Sequence, residues 1–168
     1  DLICVDEASL DSYIANNWVR SIDTEKLSNY PQLSLDQITT GFSWRSHAVP
    51  YFWGTVGIIY RSDLVSRPLT SWKDLYMPSA ELVGKIIMID TTQVLVGMGL
   101  KANGRALTDP TSDAFLEVER MLMDQKPSVA AYRNIHLDKR SWLLSGQAVA
   151  AMAYNGDALM AMELHPNL

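Results

Sequence analysis

Three apolar runs in this chain end on a carboxylate or a polar cluster and are followed by residues suited to starting a helix. That repeated order constrains the fold more than any other feature. The runs are Asp1-Leu-Ile-Cys-Val-Asp6, Lys85-Ile-Ile-Met-Ile-Asp90 and Ala148-Val-Ala-Ala-Met-Ala-Tyr154, the last leading into Asn155-Gly156-Asp157. Short uninterrupted apolar runs are the pattern of strands buried on both faces, which parallel sheets require. Strands alternating with helices predict an α/β fold with a largely parallel sheet flanked by helices.

The segments between these runs fill in the helices. Ser9 is placed to cap a helix over Leu10 to Trp18, with Leu10, Tyr13, Ile14 and Trp18 at helical spacing. Arg20 to His47, punctuated by Tyr30-Pro31 and Gly41, reads as short helices and loops. Ala48 to Tyr60 is rich in aromatic and β-branched residues and broken by Pro50, Gly54 and Gly57, so a bent extended stretch is expected. Thr70 or Ser71 caps a short helix, and Thr91 or Thr92 caps one through about Leu100 that stops at Asn103-Gly104. Asp109-Pro110 opens a helix running to Lys126, Val129 to Tyr132 is a strand, Asp138 to Leu144 is a helix ended by Gly146, and the final helix covers Ala158 to Leu164.

Composition narrows the function. The 168 residues carry a net charge of −5 and are 48% hydrophobic, enough for a core and without the basic footprint that nucleic acid demands. No apolar run approaches the roughly 18 to 20 residues of a membrane-spanning helix. The single cysteine, Cys4, allows no internal disulfide and reads as a small buried hydrophobe. His47, His136 and His165 lack metal-type spacing, and the methionines read as core filler. No nucleophile elbow, phosphate loop or dinucleotide fingerprint is present; Gly97-Met-Gly99 falls inside a helix pattern. No cofactor is expected, and nothing supports an enzyme. A chain opening directly in a strand, without an initiator Met, reads as a piece of a longer protein.

Ligands of open α/β sheets bind beyond the carboxyl ends of the strands. Those ends carry Asp6, Asp90 with Thr91 and Thr92, and Tyr154-Asn155-Gly156-Asp157. Carboxylates there suit a cation, and an aromatic face adds cation–π attraction of about 0.5 to 2 kcal/mol. Acids are also common helix caps, and both readings stand. The block Pro50-Tyr-Phe-Trp53-Gly54 is open in the same way, between lining a cleft and stapling a core.

The order of motifs resembles the bacterial extracellular solute-binding proteins of the spermidine/putrescine-binding type, receptors of polyamine ABC importers. The matching stretches are Asp1-Leu-Ile-Cys-Val, Val49-Pro-Tyr-Phe-Trp-Gly-Thr-Val-Gly-Ile, Thr70-Ser-Trp-Lys-Asp-Leu, Gly84-Lys-Ile-Ile-Met-Ile-Asp, Pro127-Ser-Val-Ala-Ala-Tyr and Tyr154-Asn-Gly-Asp-Ala. The resemblance spans essentially the whole chain. It implies a type II periplasmic-binding-protein-like lobe within a two-lobed protein that closes on its ligand, with residues 1–50 the end of the first lobe and the path to the hinge. Residues 51–168 would then be most of the second lobe.

The resemblance places Tyr154 where the family has a cleft tryptophan, and Asp157 where some members have an amine-contacting acid. Asp6 stands where a ligand-contacting serine is usual. Thr91 and Val94 fall near positions where polyamine binders carry acids, and Ala8 where an aromatic is common. The implied function is periplasmic capture of an amine-containing or cationic solute, with a membrane permease as partner. The alternative is a ligand-sensing domain of a membrane signalling protein such as a cyclic-di-nucleotide cyclase or histidine kinase. The expected ligand-binding set is Tyr154, Asp157, Asp6, Trp53, Thr91 and Asp90.

Overall fold

A computed structural model describes residues 1–33, 46–107, 111–138 and 140–168, and the chain divides into two compact units, Asp1–Trp53 and Gly54–Leu168. The expected turn at Gly41 and the helix start at Asp109-Pro110 lie outside the described residues.

In the first unit the expected opening strand is not formed. Residues 1–6 carry no regular structure, Leu2 and Ile3 are exposed, and Cys4 is exposed rather than buried. A strand exists only through hydrogen bonds to a neighbour, and the described residues of this unit contain no other strand. Helix α1 (Glu7–Ala15) starts earlier than its pattern suggests, because Asp6 rather than Ser9 is the cap: its carboxylate accepts from the Ser9 backbone N–H at 2.9 Å. It also ends earlier. Asn16 folds its amide back onto the Ser12 carbonyl at 2.8 Å, and Asn17 takes the left-handed φ of 56° that asparagine tolerates. Trp18 is thereby left outside the helix, edge-on to Tyr13 at 5.3 Å. Short 3-10 turns follow at Thr24–Lys26 and Tyr30–Gln32.

The second unit holds the sheet. Its strands are β1 (Val56–Tyr60), β2 (Ile86–Met88), β3 (Val129–Tyr132) and β4 (Ala150–Tyr154), in the spatial order β1-β4-β2-β3. β2 runs parallel to both β3 and β4, while β1 is antiparallel to β4 with Val56 opposite Tyr154 and Tyr60 opposite Ala150. Helices α2 (Trp72–Tyr76), α3 (Thr92–Ala102), α4 (Ser112–Gln125), α5 (Trp142–Ser145) and α6 (Asn155–Leu164) complete the unit.

The alternation of side chains along each strand sorts the core into two layers. Ile86, Met88, Ala150 and Met152 face a layer with Leu75, Tyr76 and Leu82, against which Val94, Leu95 and Met98 of α3 pack. Ile87, Ala151, Ala153 and Ile59 face the other layer, with Leu143 and Ala161 of α5 and α6. Covering both faces is what the apolar runs demanded.

Local chemistry fixes the helix ends. At α2, Ser71 caps, and the buried Asp74 carboxylate accepts from the backbone N–H groups of Thr70 and Ser71, each at 2.9 Å. Arg67 donates to the same carboxylate at 2.6 Å. The helix expected from Asp138 begins only at Trp142, where Ser141 caps it, and it ends at Gly146 with φ 78°.

Candidate functional site

The carboxyl ends of β2, β3 and β4 lie at one edge of the sheet, and because β1 is antiparallel, its amino-terminal end lies there too. Four of the six expected site residues come together at this edge. Tyr154 ends β4, and Asp157 sits in the first turn of α6; both are half-buried. Asp90 and Thr91 follow β2. Ile86 pairs with Ala150 and Ile87 with Ala151 in parallel, so the chain leaves β2 toward Asp90 at the same end of the sheet where β4 ends at Tyr154. Asp6 and Trp53 belong to the other unit. There Asp6 acts as the α1 cap, accepting from the Ser9 N–H and hydroxyl, and Trp53 is 70% exposed beside the T-shaped pair Tyr51 and Phe52.

The question of caps resolves differently for the three acids. Asp6 is one. Asp90 is not, since Thr91 occupies the N-cap position of α3, and Asp157 lies two residues inside α6 behind Tyr154. Among the described residues, neither the Asp90 nor the Asp157 carboxylate has a hydrogen bond or an ion pair. Asp90 is exposed.

Neither Thr91 nor Tyr154 caps its helix with a side chain, so first-turn backbone N–H groups of α3 and α6 remain directed at this edge. Helix N-termini favour negative charge. The attraction this edge offers a cation therefore resides in the two carboxylates and the aromatic faces, not in the helix ends.

Two residues do more at this edge than the sequence assigned to them. Tyr132 ends β3, pairs in register with Met88, and is exposed, adding a second tyrosine to the edge; burial of its inner part raises its hydroxyl pKa above the usual value. An aromatic at the end of a recognised strand was the available signal. Asn155 is the other. Its backbone N–H donates to the Thr55 carbonyl at 2.9 Å and its side-chain oxygen accepts from the Thr55 N–H at 3.0 Å, tying the entry of β1 to the start of α6. No local pattern reveals a pairing across a hundred residues.

Tyr76 illustrates an aromatic with a structural role. Its buried hydroxyl donates to the Leu95 carbonyl at 2.6 Å, and burial pushes its pKa upward, with the nearby Tyr132 adding to the effect.

Comparison with known proteins agrees with this architecture. The chain is 27% identical over 169 residues to the spermidine/putrescine-binding periplasmic protein of Escherichia coli K12, covering 97% of this chain and 46% of that protein. It is 31% identical over 113 residues to the norspermidine sensor of Vibrio cholerae, covering 67% of this chain and 31% of the sensor. The fold matches the spermidine/putrescine ABC transporter substrate-binding protein PotD of Streptococcus pneumoniae with a TM-score of 0.71 and 20% identity, over 94% of this chain and 48% of that one. It also matches the Tp0655 (TpPotD) lipoprotein of Treponema pallidum, with a TM-score of 0.73 and 16% identity, over 94% of this chain and 50% of that one. The chain spans about half the length of the curated relatives named here, or less. The sequence profile described as "Bacterial extracellular solute-binding protein" matches residues 1–168, and the chain belongs to that family.

Proposed function

We propose that this chain supplies much of the ligand-gripping surface of a periplasmic receptor that captures a small amine-containing or cationic solute, of the polyamine kind, and hands it to the permease of an ABC importer. In this reading residues 1–50 belong to the end of one lobe and the path to the hinge, residues 51–168 to the second lobe, and the role is binding without catalysis. The observation that carries it is the strand-end edge, where Asp90 and Asp157 have no protein partner among the described residues and where β4 and β3 end at Tyr154 and Tyr132. A buried ammonium needs a paired charge, since stranding it costs several kcal/mol. Two open carboxylates supply that charge, and the tyrosine faces add cation–π attraction.

Trp53 and Asp6 are the proposed contributions from residues 1–53, and Thr91 offers a hydroxyl beside Asp90. Names of relatives favour polyamines, since the Escherichia coli protein is called spermidine/putrescine-binding. Isothermal titration of the full-length protein with spermidine, putrescine and, as a neutral control, a sugar tests the reading. Heat with the amines alone supports it; binding of the sugar, or of no amine, overturns it. The sensing alternative rests on the norspermidine sensor relative. It predicts a transmembrane helix followed by a catalytic domain in the flanking sequence, where the transport reading predicts a signal or lipoprotein peptide and a stop after the second lobe.

A further inference from the structure

The chain passes from one compact unit to the other at the Trp53–Gly54 peptide, and just beyond that point Thr55 is held by the backbone and the side chain of one residue. Asn155 grips Thr55 from both sides: its N–H donates to the Thr55 carbonyl at 2.9 Å, and its amide oxygen accepts the Thr55 N–H at 3.0 Å. Gly54 lies directly under this grip, and a Cβ there would stand 2.7 Å from the Asn155 Oδ1, closer than real contacts allow. Asn155 is also the first residue of α6, between Tyr154 and Asp157. The same helical turn thus carries the proposed solute contacts and the anchor of the crossing.

We propose that Asn155 is a positioning residue, a clasp that fixes the Gly54–Thr55 entry to the first turn of α6 so that the solute-gripping turn and the crossing move as one. The proposal rests on the solute-binding reading for its consequence, but the clasp itself is measurable without ligand. Asn155 does this because an asparagine offers both an acceptor and its own backbone donor at one place. An alanine there keeps the N–H and loses the acceptor, leaving the Thr55 N–H without its partner. Gly54 does its part by lacking a side chain, which lets the amide approach.

Hydrogen exchange on the full chain, resolved to the Thr55 amide, decides the matter. Asn155→Ala is expected to speed Thr55 exchange about tenfold or more, in line with the loss of one hydrogen bond. Asn155→Asp, whose carboxylate still accepts, is expected to stay near the unaltered protein. Gly54→Ala is expected to behave like Asn155→Ala, while the β2 amides of Ile86–Met88 keep their protection in every variant. Unchanged Thr55 exchange in Asn155→Ala overturns the clasp, as does an Asn155→Asp variant as fast as alanine. If Asn155→Ala does not fold, Gly54→Ala carries the same comparison, and its unchanged exchange overturns the proposal.

Spermidine calorimetry then reads the coupling. Gly54→Ala removes no group from the strand-end edge, so an affinity about tenfold weaker in that variant reports positioning. Unchanged affinity with accelerated Thr55 exchange overturns the coupling. An unaltered protein that gives no heat with spermidine counts against the solute reading alone, and exchange decides the clasp.

Discussion

Gly99 of α3 lies so close to Val118 of α4 that a Cβ placed on it would stand 2.6 Å from the valine Cγ1, with the Tyr76 ring at 3.3 Å. The glycine is a contact surface, and this explains why Gly99 sits within a helix, where glycine costs about 1 kcal/mol of intrinsic propensity. Around it Leu100, Ala114 and Val118 form the buried seam between the two helices.

Gly99→Ala is therefore expected to destabilise the protein by about 1 to 3 kcal/mol, the usual cost of overpacking, despite alanine's better helix propensity. Gly97, whose added Cβ would meet only the flexible end of Leu107 at 3.4 Å, provides the contrast, and Gly97→Ala should be neutral or stabilising. Urea unfolding of both variants checks the pair. Equal midpoints would show that the close approach is not felt.

Asp74 is the second test. Desolvation pushes its carboxyl upward, but the Arg67 side chain and the N–H groups of Ser71 and Thr70 outweigh that and leave it below the ordinary 3.8. Asp74→Ala at neutral pH removes charge-assisted hydrogen bonds at a buried cap, at a cost of about 2 kcal/mol. Because the folded pKa is depressed, the stabilisation is complete above the unfolded value and is lost as pH falls through the folded one. The stability gap between the parent and Asp74→Ala should thus narrow on acidification below about pH 4, where the unfolded carboxyl takes up its proton. A gap that stays constant down to pH 2 would contradict this assignment.

At the strand-end edge, Asp157→Asn and Tyr154→Ala are each expected to weaken binding of spermidine by the full-length protein. For the tyrosine, loss of a cation–π face worth about 0.5 to 2 kcal/mol corresponds to roughly two- to thirtyfold in affinity. Asp90→Asn should also weaken it. Calorimetry showing all three variants at parental affinity would remove this edge from consideration as the binding surface.

Asp138 offers a purely electrostatic check. The Arg140 guanidinium and backbone N–H hold its carboxyl down to about 2. Arg140→Ala removes the guanidinium but keeps the backbone donor, so the pKa should climb partway toward 3.8. Carboxyl-carbon NMR titration reads it directly, and a value that stays at about 2 in the variant would show that the guanidinium is not the cause.

Much of the sheet was legible because β2, β3 and β4 are each specified by a short apolar run closed by punctuation, and Ser71, Asn103 and Gly146 mark helix ends by their own chemistry. The opening run failed for the opposite reason. Leu2 to Val5 has the composition of a strand, but pairing belongs to two segments together, and the described residues of its unit offer no second one. Misreading that run also displaced the cap of α1 onto Ser9, since Asp6 had been spent as a strand end. At the edge, Tyr154, Asp157 and Asp90 were visible from strand ends alone, whereas Asn155 and Tyr132 take their meaning from register, which no local window contains.

The alanines of β4 carry a last implication. Ala150, Ala151 and Ala153 are almost entirely enclosed, in a strand flanked on both sides and covered on both faces. The middle of the sheet is thus its narrowest place, and added bulk there has nowhere to go but into the helices. The strand that delivers Tyr154 to the edge is for that reason intolerant of larger side chains at Ala150, Ala151 and Ala153. If the strand-end edge grips a solute as proposed, variation that retunes its choice should accumulate on the surface turns beyond the strand ends, leaving this slender centre untouched.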